Sequence, residues 1–251
     1  MNEKLPAVVG HIAPESLWRR AQSSLIPLRQ TLLLILTLSV VYSVYRIPIL
    51  KECLKQPLAT ETVERVPLEI HIITKCGNAR TALTDLLLPT IERVYDKVDF
   101  RLSIVARPTE DGIVCKHGPE ECKASIMELC AQETHPDSRT YIGFIECLTH
   151  EYERIPERAH YEVCASKFSV DLEAVDQCAT RDGGAYGFKL LRESAQHTID
   201  AGVRISGTVR LNEKIYCIRD GDNWTDCPNG PSVDNLVDAI EHFHNATTSD
   251  L

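Results

Sequence analysis

Cys76 is the residue of this sequence best placed to do chemistry. It follows an alternating apolar run that predicts a strand, and it precedes an amphipathic run that predicts a helix. A thiol at the start of a helix meets the positive end of the helix dipole, which stabilises the thiolate and lowers the pKa of the cysteine. The thiolate is the form that attacks a disulfide, so this position predicts thiol–disulfide exchange.

A second candidate is the run Cys115-Lys-His-Gly-Pro-Glu-Glu-Cys122, in which two cysteines bracket a histidine and a glycine. Thiolate and imidazole are zinc ligands, but this spacing matches no common zinc pattern, and we expect no metal and no other cofactor. We expect His117 to order the loop through hydrogen bonds, with a role as catalytic base as the alternative. Gly118 is expected to allow a turn with positive φ.

The chain of 251 residues has ten cysteines, and all but Cys53 lie from residue 76 onward. So many cysteines are typical of an oxidising compartment, where disulfides persist. Cys217 and Cys227 are the expected local pair, because a strand and the following Asp220-Gly-Asp turn bring them together. Leaving out Cys53 and Cys76, we expect four disulfides among Cys115, Cys122, Cys130, Cys147, Cys164, Cys178, Cys217 and Cys227.

Charge and motifs exclude several other functions. The formal net charge of −9 gives no basic face for nucleic acid. Asp182-Gly-Gly reads as a turn rather than a phosphate-binding loop, and the sequence has no nucleophile-elbow motif for serine catalysis. Two predicted N-glycosylation sites, at Asn223 and Asn245, indicate that this part of the chain is lumenal.

The apolar patterns predict the elements that must position Cys76. A strand from Val66 is followed by a helix with Asn78 as its N-cap and a bend or break at Pro89, and then by a second strand around residues 100–106. A helical region at about 110–200 leads to a hairpin around Asn212-Glu213 and a last helix from Val233. This order predicts an α/β, thioredoxin-like domain at 66–247 with a disulfide-rich helical insertion.

The run from Thr31 to Tyr45 carries no charge and predicts a membrane segment. Apolar neighbours extend it toward the ~20 residues that a span needs. We expect a cytosolic tail at 1–30, a transmembrane signal anchor at 31–50 and a stem at 51–65, with a cleaved signal peptide as the alternative. The isolated Cys53 of the stem is consistent with an interchain disulfide or a free thiol.

The cysteine-bracketed run resembles the Cys-Gln-His-Gly-x-x-Glu-Cys-x-x-Asn signature of the gamma-interferon-inducible lysosomal thiol reductase family. Lys116 and Ser125 stand where that family has Gln and Asn. The resemblance continues in order from about Pro67 to Cys227. The positions that agree with the signature are Cys115, His117, Gly118, Glu121 and Cys122.

The resemblance implies that Cys76 is the first cysteine of a Cys-x-x-Cys pair. Here Ala79 stands in the second position, so that position cannot resolve a mixed disulfide. The family's proline opposite the active cysteine is also missing, and Ser206-Gly207 occupies that substrate-groove segment. A cis bond without proline costs about 3 kcal/mol, so we expect trans peptides there and a groove of different shape.

Three interpretations of Cys76 follow. It is a single nucleophile that reduces disulfide-containing protein clients with a low-molecular-weight thiol as the resolving reagent, a remnant in a non-catalytic binding or chaperone-like protein, or a structural disulfide partner. The first two differ in whether Cys76 is a free and activated thiol.

Overall fold

The computed structural model of the protein describes residues 25–46 and 64–249. These residues fall in two compact units, Met1–Thr62 and Val63–Leu251. Most of the predicted cytosolic tail and most of the predicted stem, including Cys53, lie outside the described residues. The second unit contains all of the predicted site residues.

One described helix, α1 (Leu25–Arg46), belongs to the first unit. Among the residues that the structure describes, no helix has both the length and the apolar character needed to cross a membrane. The predicted transmembrane signal anchor at 31–50 is therefore not supported. Between Arg29 and Arg46 only sixteen consecutive residues carry no charge, fewer than the ~20 that a span needs.

The second unit is built on a five-stranded sheet and a separate two-stranded ribbon. Its described strands are β1 (Val66–Ile72), β2 (Val98–Ile104), β3 (Arg107–Pro108), β4 (Ile113–Val114), β5 (Thr208–Leu211), β6 (Lys214–Asp220) and β7 (Asn223–Thr225). The sheet has the order β2-β1-β5-β6-β7, and β3 pairs with β4. The pair β1–β2 is parallel, whereas β5, β6 and β7 pair antiparallel with their neighbours.

Helices connect and cover these strands. They are α2 (Gly77–Ala82), a π-helical segment (Leu83–Leu87), α3 (Leu88–Val94), α4 (Pro119–Thr134), α5 (Ser138–His150), a 3-10 turn (Tyr152–Arg154), α6 (Arg158–Phe168), α7 (Leu172–Thr180), a second 3-10 turn (Arg181–Gly184), α8 (Ala185–Asp200) and α9 (Val233–Ser249). The unit β1–helix–β2, the helical insertion, the β5–β6 hairpin and the last helix give the thioredoxin-like α/β order that the sequence predicted.

The interior strand β1 is buried on both faces. Leu68, Ile70 and Ile72 are fully buried on one face, and each contributes roughly 2 kcal/mol of hydrophobic stabilisation. On the opposite face Glu69 and His71 point toward α8 and are also buried. The end of β1 is thus held firmly where the chain turns toward Cys76.

The helix after Cys76 does not break at Pro89. The π-helical segment precedes this proline, which has no N–H to donate, and the hydroxyl of Thr90 donates to the carbonyl of Leu86 at 2.7 Å. The predicted hairpin turn is present, with positive φ at Asn212 (47°) and Glu213 (63°). The sequence patterns missed the β3–β4 ribbon and β7, because strands of two or three residues are too short to show alternation.

Two disulfides cross-link the helices of the insertion. Cys130–Cys178 joins α4 to α7, and Cys147–Cys164 joins α5 to α6. They close loops with sequence separations of 48 and 17 residues, each worth about 3 to 4 kcal/mol in the chain-entropy model. Cys115–Cys122 closes the signature loop onto α4, and Cys217–Cys227 is the local pair that the sequence predicted.

Candidate active site

Cys76 is the free cysteine of the described residues, and its side chain is half-buried. It is the N-cap of α2, with extended backbone (φ −138°, ψ 130°), and its carbonyl accepts from the N–H of Arg80 at 3.1 Å. Asn78, the predicted N-cap, lies inside the helix instead. The thiol therefore sits at the strand–helix junction that the sequence predicted, and the structural-disulfide interpretation of Cys76 is not supported by the described residues.

Ala79 occupies the first turn of α2 and is fully buried. The remaining cysteines of the described chain are all paired with one another. No second thiol of the described residues is therefore available to Cys76. A mixed disulfide formed there needs a thiol from elsewhere for its resolution.

Ser206 and Gly207 lie opposite the start of α2, where the substrate groove was predicted. The hydroxyl of Ser206 accepts from the N–H of Ile73 at 2.8 Å. Gly207 has φ +86°, and a Cβ atom placed on it would lie 3.0 Å from the carbonyl oxygen of Asn78. Within the described chain the cis peptide is Ile155–Pro156, so the peptides of this segment are trans as expected.

A further wall of the site comes from the segment after α5, which sequence reasoning missed. The ammonium of Lys75 donates to the carbonyl of Ile155, and the guanidinium of Arg80 lies 5.7 Å from the centre of the Tyr152 ring. A hydrogen bond to Glu153 raises the pKa of Tyr152, against the effect of the Arg80 guanidinium, and the proximity of Cys76 adds to the rise. Nothing in the spacing of these residues along the chain signals that they meet Cys76.

The signature loop is tied to the same junction by Glu121. This buried carboxylate contacts the Nδ1 atom of His117 and accepts from the backbone N–H of His117 at 3.3 Å. Its second oxygen lies 3.4 Å from the backbone N–H of Lys75, the residue before Cys76. Gly118 has φ +87°, as predicted for the turn. The ring and the backbone N–H of His117 are thus both engaged by Glu121, while its role stays a prediction.

Zinc binding by the signature loop is excluded by its sulfur chemistry. The sulfurs of Cys115 and Cys122 are bonded to each other, so neither is a thiolate that could ligate a metal. The loop is a structural support for the strand–helix junction.

Behind the junction, Glu128 is completely buried. One carboxyl oxygen lies 2.7 Å from the hydroxyl of Thr74, which also lies 2.7 Å from the hydroxyl of Ser125. The other oxygen has no hydrogen-bond partner among the described residues. Burial raises the pKa of Glu128 to about 8, with a contribution from the charge of Glu121 and against the effect of the Thr74 hydrogen bond. The carboxyl group is thus protonated near neutral pH.

A second buried polar cluster lies on the other face of β1. The carboxylate of Glu69 accepts from His197 at 2.7 Å and from Arg210 at 2.6 Å, and the Nε2 atom of His71 lies 3.1 Å away. Burial opposes ionisation, but the contacts with His71, Ser103 and His197 hold the pKa of Glu69 well below its usual range. Burial lowers the pKa of His71.

The atoms of Glu69, His71 and His197 lie within 4.8 Å of one another, which is close enough for a shared cation. Arg210 already supplies a positive charge to the same carboxylate, and Arg101 lies 3.9 Å from it. This arrangement neutralises Glu69 without a metal ion, so we read it as a structural charge cluster.

The two predicted glycosylation sites are exposed. Asn223 begins β7, and Asn245 lies near the end of α9. Their modification stays a prediction.

Comparison with known proteins finds a family to which this chain is similar. Residues 67–168, which include Cys76, Ala79 and the signature loop, match the family model described as gamma interferon inducible lysosomal thiol reductase. GILT-like protein 1 of Drosophila melanogaster is 24% identical over 172 residues, covering 60% of this chain and 67% of that protein. The gamma-interferon-responsive lysosomal thiol protein of Arabidopsis thaliana is 44% identical over 36 residues, covering 14% of this chain and 16% of that protein.

Solved structures show weaker similarity. DsbA of Chlamydia trachomatis gives a TM-score of 0.49 at 12% identity, covering 77% of this chain and 89% of that one. The reduced disulfide bond oxidoreductase DsbG of Mycobacterium tuberculosis gives 0.48 at 14% identity, covering 77% and 87%. The thioredoxin-like assignment rests on strand order and pairing rather than on these scores.

Proposed function

Because this chain belongs to the gamma interferon inducible lysosomal thiol reductase family, we propose that it is a thiol–disulfide oxidoreductase that reduces disulfides of client proteins through Cys76 alone. The observation that carries the proposal is a free, half-buried cysteine at a strand–helix junction, with a buried alanine in the position of the second thiol. The four disulfides of the domain suggest an oxidising compartment, as expected for a secretory or lysosomal protein.

The reaction needs two steps and an external thiol. The thiolate of Cys76 attacks one sulfur of the client disulfide, forms a mixed disulfide and releases the other client sulfur as a thiolate, which takes up a proton. A low-molecular-weight thiol then attacks the sulfur of Cys76, and the second client thiol leaves. A further molecule of that thiol regenerates Cys76 and leaves as an oxidised dimer. In total, one client disulfide is reduced and two small thiols are oxidised.

The geometry supports these steps in separate ways. Cys76 is only partly buried, as a cysteine that reacts with a client must be. N–H groups at the N-terminus of a helix favour negative charge on a sulfur placed there. This favours the attacking thiolate, and it also favours release of the same sulfur as the leaving group in the last step. Gly207 lets its segment lie close against the turn after Cys76, since an added Cβ atom would lie 3.0 Å from the carbonyl oxygen of Asn78.

A second candidate function is client binding without turnover. The observations that favour it are the lost thiol at Ala79 and the lost proline at Ser206-Gly207, which are the two departures from the family's catalytic pattern. In that case Cys76 would be free but no more reactive than an ordinary thiol.

The experiment is steady-state reduction of a disulfide-bridged peptide by the full chain at several concentrations of glutathione, with the Cys76→Ser variant as control. We expect catalysis that rises with glutathione and is lost in the variant. Alkylation of Cys76 against pH separates the two candidates, since an activated thiol reacts below the ordinary cysteine pKa of about 8.5. Equal rates for the two proteins, with ordinary alkylation, would support binding without turnover.

A further inference from the structure

A groove of about 470 Å³ lies beside the candidate active site and has no role in the chemistry described above. Its floor is apolar and includes the buried side chains of Ile73 and Val203. Val114 and Ile199, which are 44% and 49% exposed, form its apolar rim. Large apolar groups left open to water in this way favour a site that is covered when a partner binds.

The same groove is walled by three exposed cations, Arg107, Lys116 and Arg204. Among the described residues none of their side chains has an ion pair or a hydrogen bond. No acidic residue of the described chain lines the groove, although the protein has 36 acidic and 27 basic residues. The groove is therefore a local positive patch on an acidic protein, with its charges free to meet carboxylates.

The walls of the groove lead to the chain on both sides of Cys76. Ile73, on the floor, precedes Cys76 by three residues and donates its N–H to Ser206. Arg204 lies two residues before Ser206. Gly207, which follows Ser206, lies against the turn after Cys76. On the other side, Lys116 belongs to the signature loop, which Glu121 holds against Lys75.

We propose that this groove binds an extended segment of the client protein in which apolar and acidic residues flank the reacting cysteine. The proposal rests on the function proposed for Cys76 and names the class of substrate that the site selects. Apolar side chains of the client would cover the floor and rim, while its carboxylates would pair with the three cations. A small anion would leave the apolar floor uncovered, so a peptide fits the chemistry of the groove better.

The test is peptide binding by the full chain carrying Cys76→Ser, which prevents any covalent step. The probes are two fluorescent peptides with the same apolar residues around a serine, one with Asp and Glu and the other with Lys at the charged positions. We expect the acidic peptide to bind roughly tenfold more tightly than the basic one, with a preference that falls as salt rises. Equal binding of the two peptides would overturn the proposal.

Charge reversal locates the site. The double variant Arg107→Glu/Arg204→Glu should weaken binding of the acidic peptide by about tenfold, whereas Lys214→Glu, an exposed lysine outside the groove, should leave it unchanged. Equal losses in the two variants would contradict a groove-specific site. If charge reversal unfolds the domain by circular dichroism, Arg107→Gln/Arg204→Gln replaces it, with weaker binding again expected.

The outcome does not depend on catalysis. Selective binding of the acidic peptide without reduction of any disulfide by the unmodified chain would retain the groove and reject the proposed turnover. Reduction of acidic and basic disulfide peptides with the same KM would retain the chemistry and reject the groove.

Discussion

Gly207 packs against the first turn of the helix that begins at Cys76: a Cβ atom added to it would lie 3.0 Å from the carbonyl oxygen of Asn78 and 3.1 Å from Cβ of Arg219. Its φ of +86° adds a second reason for glycine, because side chains are disfavoured in that region. The contact joins the Ser206-Gly207 segment to the turn that follows Cys76. The shape of the predicted substrate groove at Ser206-Gly207 therefore depends on this glycine.

Gly207→Ala tests that relationship. We expect a loss of about 2 to 4 kcal/mol in the free energy of unfolding, from the positive φ and from the close contact together. The matched control is Gly202→Ala, since Gly202 has φ +72° but nothing within 4 Å of an added Cβ. It should lose only about 1 kcal/mol. Denaturant unfolding of both variants measures the difference, and equal losses would show that the Asn78 contact is unimportant.

Glu128→Gln tests the buried carboxyl behind the junction. The folded-state pKa of Glu128 is raised from 4.5 to about 8, so the folded protein binds more protons than the unfolded chain between those values. Stability from this group therefore falls as pH rises from about 4.5 to 8, by roughly 5 kcal/mol in total. Glutamine stays neutral and should remove that loss. Unfolding curves give the free energy of unfolding at pH 5 and pH 8. Relative to the unmodified protein, the value for the variant should be higher at pH 8 than at pH 5.

Glu69→Gln gives the opposite pH dependence. The pKa of Glu69 is lowered in the folded state, so its contribution is present above the ordinary value of 4.5 and is lost as pH falls below it. Removing the carboxylate should cost about 3 kcal/mol at neutral pH, because Arg210 is left without its partner. The variant should also lose less stability on acidification than the unmodified chain. A steeper acid loss in the variant would contradict the charge-cluster interpretation.

Ala79→Cys tests whether the missing thiol is the principal defect. Residue 79 lies three positions after Cys76 on the same helical turn, so two thiols would stand where the family has them. We expect faster reduction of a small disulfide and less dependence on added glutathione, with recovery limited by the full burial of Ala79 and by the missing proline. Cys76→Ala in the same background should abolish the gain. A stable bridge between Cys76 and the introduced thiol, with no reduction under recycling conditions, would favour binding without turnover.

Local patterns predicted much of the fold. Alternation identified β1, and Asn212-Glu213 identified the hairpin, because both depend on neighbouring residues along the chain. The polar residues Glu69 and His71 are a different case, since alternation alone does not distinguish an exposed face from one covered by α8. Their burial follows from a helix more than a hundred residues away, whose His197 meets the same carboxylate.

Some features of the candidate site were likewise predictable from the local sequence, and others depend on the tertiary fold. The position of Cys76 and the loss of a thiol at Ala79 are local features and were predictable. The wall formed by Tyr152 and Ile155 was not, because it depends on how the helical insertion folds back over the junction. The membrane prediction was not supported because an uncharged run of intermediate length satisfies the composition of a span without its length.

The most direct test of a single-thiol mechanism is the intact mass of the full chain after mixing with a disulfide-bridged client peptide in the absence of any small thiol. A single-thiol mechanism predicts that one peptide adds to each chain, that Cys76→Ser prevents the addition, and that glutathione then releases the peptide in reduced form. Release of reduced peptide without added thiol would contradict it, as would the absence of any adduct on Cys76.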